Sequence, residues 1–220
     1  MLLTMRREWP ALEASPGLVT ARLGMLAELD PMFGGTPTIS RWGLLCGWDS
    51  NDARDRFLAD GAQLRPMLQG AAESWNLSLE TVRIVMGDWW GWSPDTSAVP
   101  RLAPEEPLLV MTYGFVRPRH LPVFTLRNRE IVRDVASNPA MTRRIGFFDT
   151  PLARGTLSLW RSEREALDFA YRSQPHAEIQ RHARKVPWAD AFFFARFRVA
   201  AASGTWDGRD PLAELSRAPA

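Results

Sequence analysis

Residues 155–208 constrain the fold most, because a weaker copy of them occurs earlier in the same chain. Trp160, Ser162 and Phe169 stand at offsets 0, 2 and 9, and Trp48, Ser50 and Phe57 repeat those offsets. Trp188 follows Trp160 by 28 positions, and Trp75 follows Trp48 by 27. Both copies then run through an apolar stretch to a glycine-tryptophan-glycine closure, Gly204, Trp206 and Gly208 in one, Gly87, Trp89 and Gly91 in the other. Tryptophan is a rare residue, so aligned tryptophan anchors point to tandem duplication of one supersecondary unit. One difference is informative: sixteen positions after the anchoring tryptophan stands His176 in the second copy and Leu64 in the first. A ligand-capable group replaces a core-filling one.

The order of apolar runs and breakers gives each element. In the second half, 108–116 is apolar and β-prone, and Arg117-Pro118-Arg119 turns the chain. A helical pattern covers 121–137 and Asn138-Pro139 stops it. A strand follows at 141–148, then a turn, a strand at 155–160, a helical region at 162–185 and a strand at 191–201. This is the βαββαβ order of a ferredoxin-like unit. In the first half, 1–17 reads as a loose lead-in with Pro10, Pro16 and Gly17 as breakers. Helical spacing of Leu18, Ala21, Met25 and Leu29 predicts a helix over 18–29. A buried strand is expected at 38–48, a helix at 52–69 and a strand at 79–89. The proline- and glycine-rich stretch 90–107 marks a boundary. The expected fold class is α+β, with tandem ferredoxin-like repeats whose sheets join as in a dimeric α/β-barrel. The expected organisation is a degenerate first repeat at 1–92, a linker at 93–106, a second repeat at 107–212 and a tail at 213–220.

Charge narrows the function. Residues 1–100 hold 8 Arg and 12 Asp plus Glu; the remainder holds 18 Arg, Lys185 and 13 Asp plus Glu. The basic second half is the better place for an anionic ligand. Its cations are scattered, with no zinc-finger spacing or aromatic RNA-binding strand, so nucleic acid is not an expected partner. Mean hydropathy is −0.22 and no apolar run approaches membrane-spanning length, which predicts a protein that does not span a bilayer. The first residues lack the apolar core and cleavage site of a signal peptide. One cysteine, Cys46, lies in an apolar run and fits a cytoplasmic protein.

No phosphate-loop, nucleophile-elbow or zinc pattern occurs. His176 follows Pro175, which suits a first helical position. Near a helix N-terminus the dipole favours neutral imidazole, the metal-binding form. An axial haem ligand is one reading of this placement; an exposed or core-satisfied histidine at a helix start is the other. His182 points away on a helical wheel, and His120 sits at a strand-to-helix turn. Phe192, Phe193, Phe194 and Phe197, with Trp188 near them, give the second half an apolar wall, for which ordinary core packing is the better single explanation. Arg196 shares that strand, and Arg143 and Arg144 stand on the preceding one, where at most one of the pair can face a pocket. An inward arginine could pair with a haem propionate or act on a bound oxygen species; an outward, solvated arginine is the alternative.

These residues bring a family into view. Arg117-Pro118-Arg119-His120, Arg144-Ile145-Gly146, Leu157-Ser158-Leu159-Trp160 with Ser162, Phe169-Ala170-Tyr171 leading to His176-Ala177-Glu178, and Phe194-Ala195-Arg196-Phe197 leading to Gly204-Thr205-Trp206-Asp207-Gly208 resemble the spheroidene monooxygenase family of carotenoid biosynthesis. Trp42-Gly43-Leu44-Leu45 extends the resemblance more weakly into the first half. The resemblance implies a haem iron enzyme that inserts oxygen into an apolar substrate such as a carotenoid, on a dimeric α/β-barrel type of scaffold. It places the axial ligand most naturally at His176; from the residues themselves, Arg144, Phe194 and Trp160 are the expected cofactor contacts and Arg143, Arg144 and Arg196 the expected catalytic cations. An external electron donor or oxidant is then required. A homodimer is compatible with this scaffold, and the expected location is the cytoplasm or the membrane surface. A non-catalytic carrier of haem or another apolar ligand is the alternative of a different class.

Overall fold

A computed structural model describes residues 2–29, 37–97, 99–136, 138, 140–172 and 189–215. It contains helix α1 (Leu2–Glu13), strands β1 (Leu18–Glu28) and β2 (Trp42–Trp48), helices α2 (Asn51–Asp60) and α3 (Arg65–Leu68), and strand β3 (Trp75–Met86). The second half supplies β4 (Leu108–Val116), a 3-10 turn at Pro118–His120, α4 (Leu121–Ala136), β5 (Met141–Phe148), β6 (Ala153–Trp160), α5 (Glu163–Arg172), β7 (Ala189–Gly204) and α6 (Pro211–Leu215). All seven strands form one sheet in the order β2-β1-β5-β6-β4-β7-β3, antiparallel at every step. Within it, β5-β6-β4-β7 with α4 and α5 is the connectivity of a ferredoxin-like unit. The outermost strands, β2 and β3, both belong to the first half.

The sheet curls so that its two edges approach each other. Arg41, just before β2, bonds Asp207, beside the start of β3, at 2.7 Å. At the other end, Gly47 of β2 sits against the Trp92 ring. The concave face is apolar: Leu109, Met111, Ile145, Phe147, Leu159, Ala195 and Phe197 are buried there, and Leu212 and Leu215 of α6 close one end. The convex face carries the helices. Leu12 of α1 and Phe57 of α2 pack on Ala21, Leu44, Cys46 and Trp48, and Ala166 and Phe169 of α5 pack on Leu108 and Trp160.

Three sequence expectations depart from the structure here. Residues 18–28 form strand β1, not a helix. Both faces of β1 are covered, so apolar residues occur without the two-residue alternation that normally marks a strand. Residues 2–13 form helix α1 despite Pro10. Packing of Trp9 and Leu12 against the β1–β2 face outweighs the lost backbone bond. The helix expected over 52–69 is shorter and interrupted. Ser50 caps α2, its Oγ accepting from Ala53 N–H at 3.3 Å, and Gly61 ends it with φ of 60°. The 90–107 stretch has no helix or extended strand among its described residues, yet it is fastened: Arg198 of β7 bonds Glu106 at 2.5 Å, Glu80 at 3.0 Å and the carbonyl of Pro100 at 3.0 Å.

Candidate functional site

The convex face of the second half gathers most of the predicted site residues. Cross-strand register sets Arg144 beside Ser158, Ser158 beside Val110, and Val110 beside Arg196. Trp160 is 3% exposed, donates from Nε1 to Ser158 Oγ at 2.9 Å and packs on Phe169 with centroids 5.3 Å apart. Arg196 is buried, and its guanidinium bonds Glu163, in the first turn of α5, at 2.9 Å. Ser162 caps α5, accepting from Glu165 N–H at 3.3 Å, so the helix that carries Glu163 is held at its start.

The next row is Gly146, Thr156, Thr112 and Phe194, and beyond it Gly114 lies between Arg154 and Phe192. Small side chains therefore make a floor with phenylalanines at one side. Arg154 lies over Phe148 at 5.5 Å and Phe124 at 5.8 Å. The space over Gly146 is filled by the Phe148 ring and Leu29, and Arg144 and Arg154 stand in the adjoining rows. Arg143 is apart from this group. It points to the opposite face and bonds Glu214 of α6 at 3.0 Å. His176, His182 and Trp188 lie outside the described residues. His120 is half-buried in the 3-10 turn and accepts from Arg119 Nε at 3.0 Å. Among the described residues no three His, Cys, Asp or Glu side chains form a metal-binding group.

The concave face holds a second feature. A small cleft of about 40 Å³ is lined by Asp88, Trp89, Trp90, Tyr113 and Phe193. The Tyr113 hydroxyl donates to Asp149 Oδ2 at 2.7 Å. Burial, reinforced by the Asp149 hydrogen bond, holds the Tyr113 hydroxyl well above its ordinary pKa. Trp90 stacks edge-on against Tyr113 at 4.8 Å, and Arg22 lies 4.8 Å over the Trp90 ring. The sequence marked Trp89 only as a repeat anchor and did not single out Trp90, Tyr113 or Asp149 for a site. The available signal was the Trp89-Trp90-Gly91-Trp92 run itself.

Cys46 on β2 is half-buried against the Leu12 and Phe57 cluster, and burial pushes its thiol up to about 12. Native protein at pH 8 is therefore expected to react with iodoacetamide at least about tenfold more slowly than urea-unfolded protein, whose thiol returns to the ordinary range near 8.5. Equal labelling rates, followed by mass spectrometry, would contradict that burial.

Connectivity and faces together define an α+β protein of ferredoxin-like type, with helices outside a curled antiparallel sheet. No family model matches the chain. It is 30% identical over 175 residues to spheroidene monooxygenase of Rhodobacter capsulatus, covering 78% of this chain and 72% of that protein. It is 25% identical over 175 residues to spheroidene monooxygenase of Cereibacter sphaeroides, covering 79% of this chain and about half, 53%, of that relative. The chain belongs to the spheroidene monooxygenase family. Among solved structures, a candidate monooxygenase of Fusobacterium nucleatum aligns with a TM-score of 0.42 and 10% identity, covering 91% of this chain and 84% of that one. An anthrone oxidase-like protein aligns with a TM-score of 0.35 and 14% identity, covering 90% and 87%. The relatives' names support a monooxygenase, hence an oxidoreductase. No helix among the described residues is long and apolar enough to cross a membrane.

Proposed function

We propose that this protein is a haem-dependent monooxygenase acting on an apolar substrate of the carotenoid type, with His176 as the axial iron ligand. What supports the reading is membership of the spheroidene monooxygenase family together with the placement of Arg144, Trp160 and Phe194 on one face of the sheet. Helix α5 packs on the same face through Ala166 and Phe169 and ends at Arg172, four positions before His176. When bound, haem supplies the oxygen activation, drawing on an external electron donor or oxidant. The protein's own residues bind and orient. Arg144 would pair with a carboxylate at the cofactor's edge, and Phe194 and Trp160 would exclude water. Arg196 already has its charge balanced by Glu163, so its task in this reading is to fix the start of α5 against the sheet.

A tandem duplication accompanies this proposal. The loops after β3 and β7 share a backbone: Gly87, Trp90 and Gly91 have φ of 71°, 50° and 88°, and Gly204, Asp207 and Gly208 have 84°, 52° and 70°. Each is closed by a two-residue bridge, Trp89 with Trp92 and Trp206 with Arg209.

The test is an absorption spectrum of the protein reconstituted with haem, wild type beside His176→Ala. A sharp Soret band at one haem per chain in the wild type, shifted or lost in the variant, is the expected result. Absence of stoichiometric haem from the wild type would overturn the proposal. Unchanged haem in the variant would remove His176 as ligand.

A further inference from the structure

The chain has two tyrosines, Tyr113 and Tyr171, and their surroundings are opposite. Tyr171 is 72% exposed, whereas Tyr113 is 7% exposed in the concave core. The Tyr113 hydroxyl is aimed at a carboxylate, Asp149 Oδ2, at 2.7 Å. Among the described residues that hydroxyl is the carboxylate's one hydrogen-bond partner, and its other oxygen, Oδ1, is buried without a partner. The phenol ring meets the Trp90 ring edge-on with centroids 4.8 Å apart, and Trp90 meets Trp89 at 5.2 Å. The backbone does not call for tryptophan at position 90. Its φ is 50°, and the equivalent loop after β7 adopts φ of 52° with Asp207, a type that tolerates the left-handed region. A bulky residue in an unfavoured conformation is retained for what its ring touches.

We infer that Trp90, Tyr113 and Asp149 form a one-electron relay, in which Tyr113 is a redox-active tyrosine and Asp149 its proton acceptor. Removing an electron from a phenol without its proton would strand a cation in an apolar core, which burial strongly disfavours. Here the proton has a destination. The Tyr113 O–H bond breaks, an O–H bond forms at Asp149 Oδ2, and one electron passes to the oxidant. Phenol plus carboxylate become a neutral phenoxyl radical plus a neutral carboxylic acid, so no uncompensated charge is left behind. Trp90 is the entry: it is half-buried where Tyr113 is enclosed, and its ring touches the phenol. The Arg22 guanidinium, 4.8 Å over the Trp90 ring, disfavours a lasting indole radical cation and so passes the oxidising equivalent on to Tyr113. The oxidant is of the strong one-electron class that oxygen activation generates when no substrate is consumed. Use of the relay requires the monooxygenase chemistry of the family, but neither haem nor His176.

Flash photolysis of the full-length Tyr171→Phe protein with ruthenium(II) tris-bipyridine and a cobalt(III) electron acceptor, without haem, tests it. Photogenerated ruthenium(III) is the oxidant, and Tyr113 is then the one tyrosine left in the chain. A neutral tyrosyl radical is expected by electron paramagnetic resonance, rising as a tryptophanyl signal falls, and forming more slowly in deuterium oxide than in water. Tyr113→Phe in the same background is expected to leave tryptophanyl radicals alone. Asp149→Asn keeps an acceptor for the hydroxyl but no base for its proton, and is expected to slow tyrosyl formation at least about tenfold. Trp90→Phe keeps a ring that resists oxidation, and is expected to slow it at least about tenfold as well. Absence of a tyrosyl radical from the Tyr171→Phe protein, equal rates in water and deuterium oxide, or an unchanged rate in Asp149→Asn or Trp90→Phe would each overturn the assignment.

Discussion

Gly87→Ala is expected to lower stability by about 3–5 kcal/mol, among the largest effects a single methyl group can produce here. Two causes add. Gly87 has φ of 71°, a left-handed conformation that costs an L-residue roughly 1–2 kcal/mol. A Cβ at this position would also collide with the backbone carbonyl of Phe192 on β7, which has no freedom to rotate away. Relief requires the end of β3 to separate from the start of β7, or the Trp89–Trp92 loop to move with the Tyr113 cleft. Gly91→Ala provides the control. Its φ of 88° is equally unfavourable, but nothing lies within 4 Å of the added carbon, so a loss of only about 1–2 kcal/mol is expected. Urea unfolding of the three proteins measures both values. A similar midpoint for Gly87→Ala and Gly91→Ala would show that the contact with Phe192 exerts no force.

The second large effect is Phe147→Ala, expected to destabilise by about 3–5 kcal/mol. Phe147 is fully buried at the centre of the concave face, between Phe148 and Gly146 on a strand whose neighbours are β1 and β6. Its ring lies against Gly24 of β1, where an added Cβ would come within 2.8 Å of it. Glycine on one strand and phenylalanine on the next fill a single space, so removing the ring leaves a cavity that no nearby side chain is built to occupy. Thermal unfolding is expected to fall by roughly 6–20 °C, taking 2–4 °C per kcal/mol for a chain of this size. Leu126→Ala, at a site 59% exposed on α4, is expected to stay within about 0.5 kcal/mol of wild type. A Phe147→Ala midpoint indistinguishable from wild type would mean the concave core is not packed as described.

The second half was legible because its signals agree at every level. Leu108–Val116 and Met141–Phe148 appear as strands with the boundaries their apolar runs imply, and Ser50 and Ser162 cap the helices they precede. The positive-φ glycines at 87, 91, 204 and 208 stand where the sequence places its two closures. The first half was less legible. β1 carries apolar residues on both faces because helices cover one side and the core the other, which erases the period that tells a strand from a helix. α1 contains a proline and exists through contacts of Trp9 and Leu12 with strands that follow it.

The same division holds for the sites. Residue types and local order determined the strand-helix-strand connectivity, the caps, the glycine closures and the family, since each depends on neighbours a few positions apart. Tertiary structure alone decided which side of the sheet each residue serves. It separated Arg143 from Arg144, assigned Arg196 to Glu163, and brought Trp90, Tyr113 and Asp149 together from three different segments. Their meeting depends on strand pairing between residues far apart in the chain, and a one-residue change of register would turn each of those side chains to the other face.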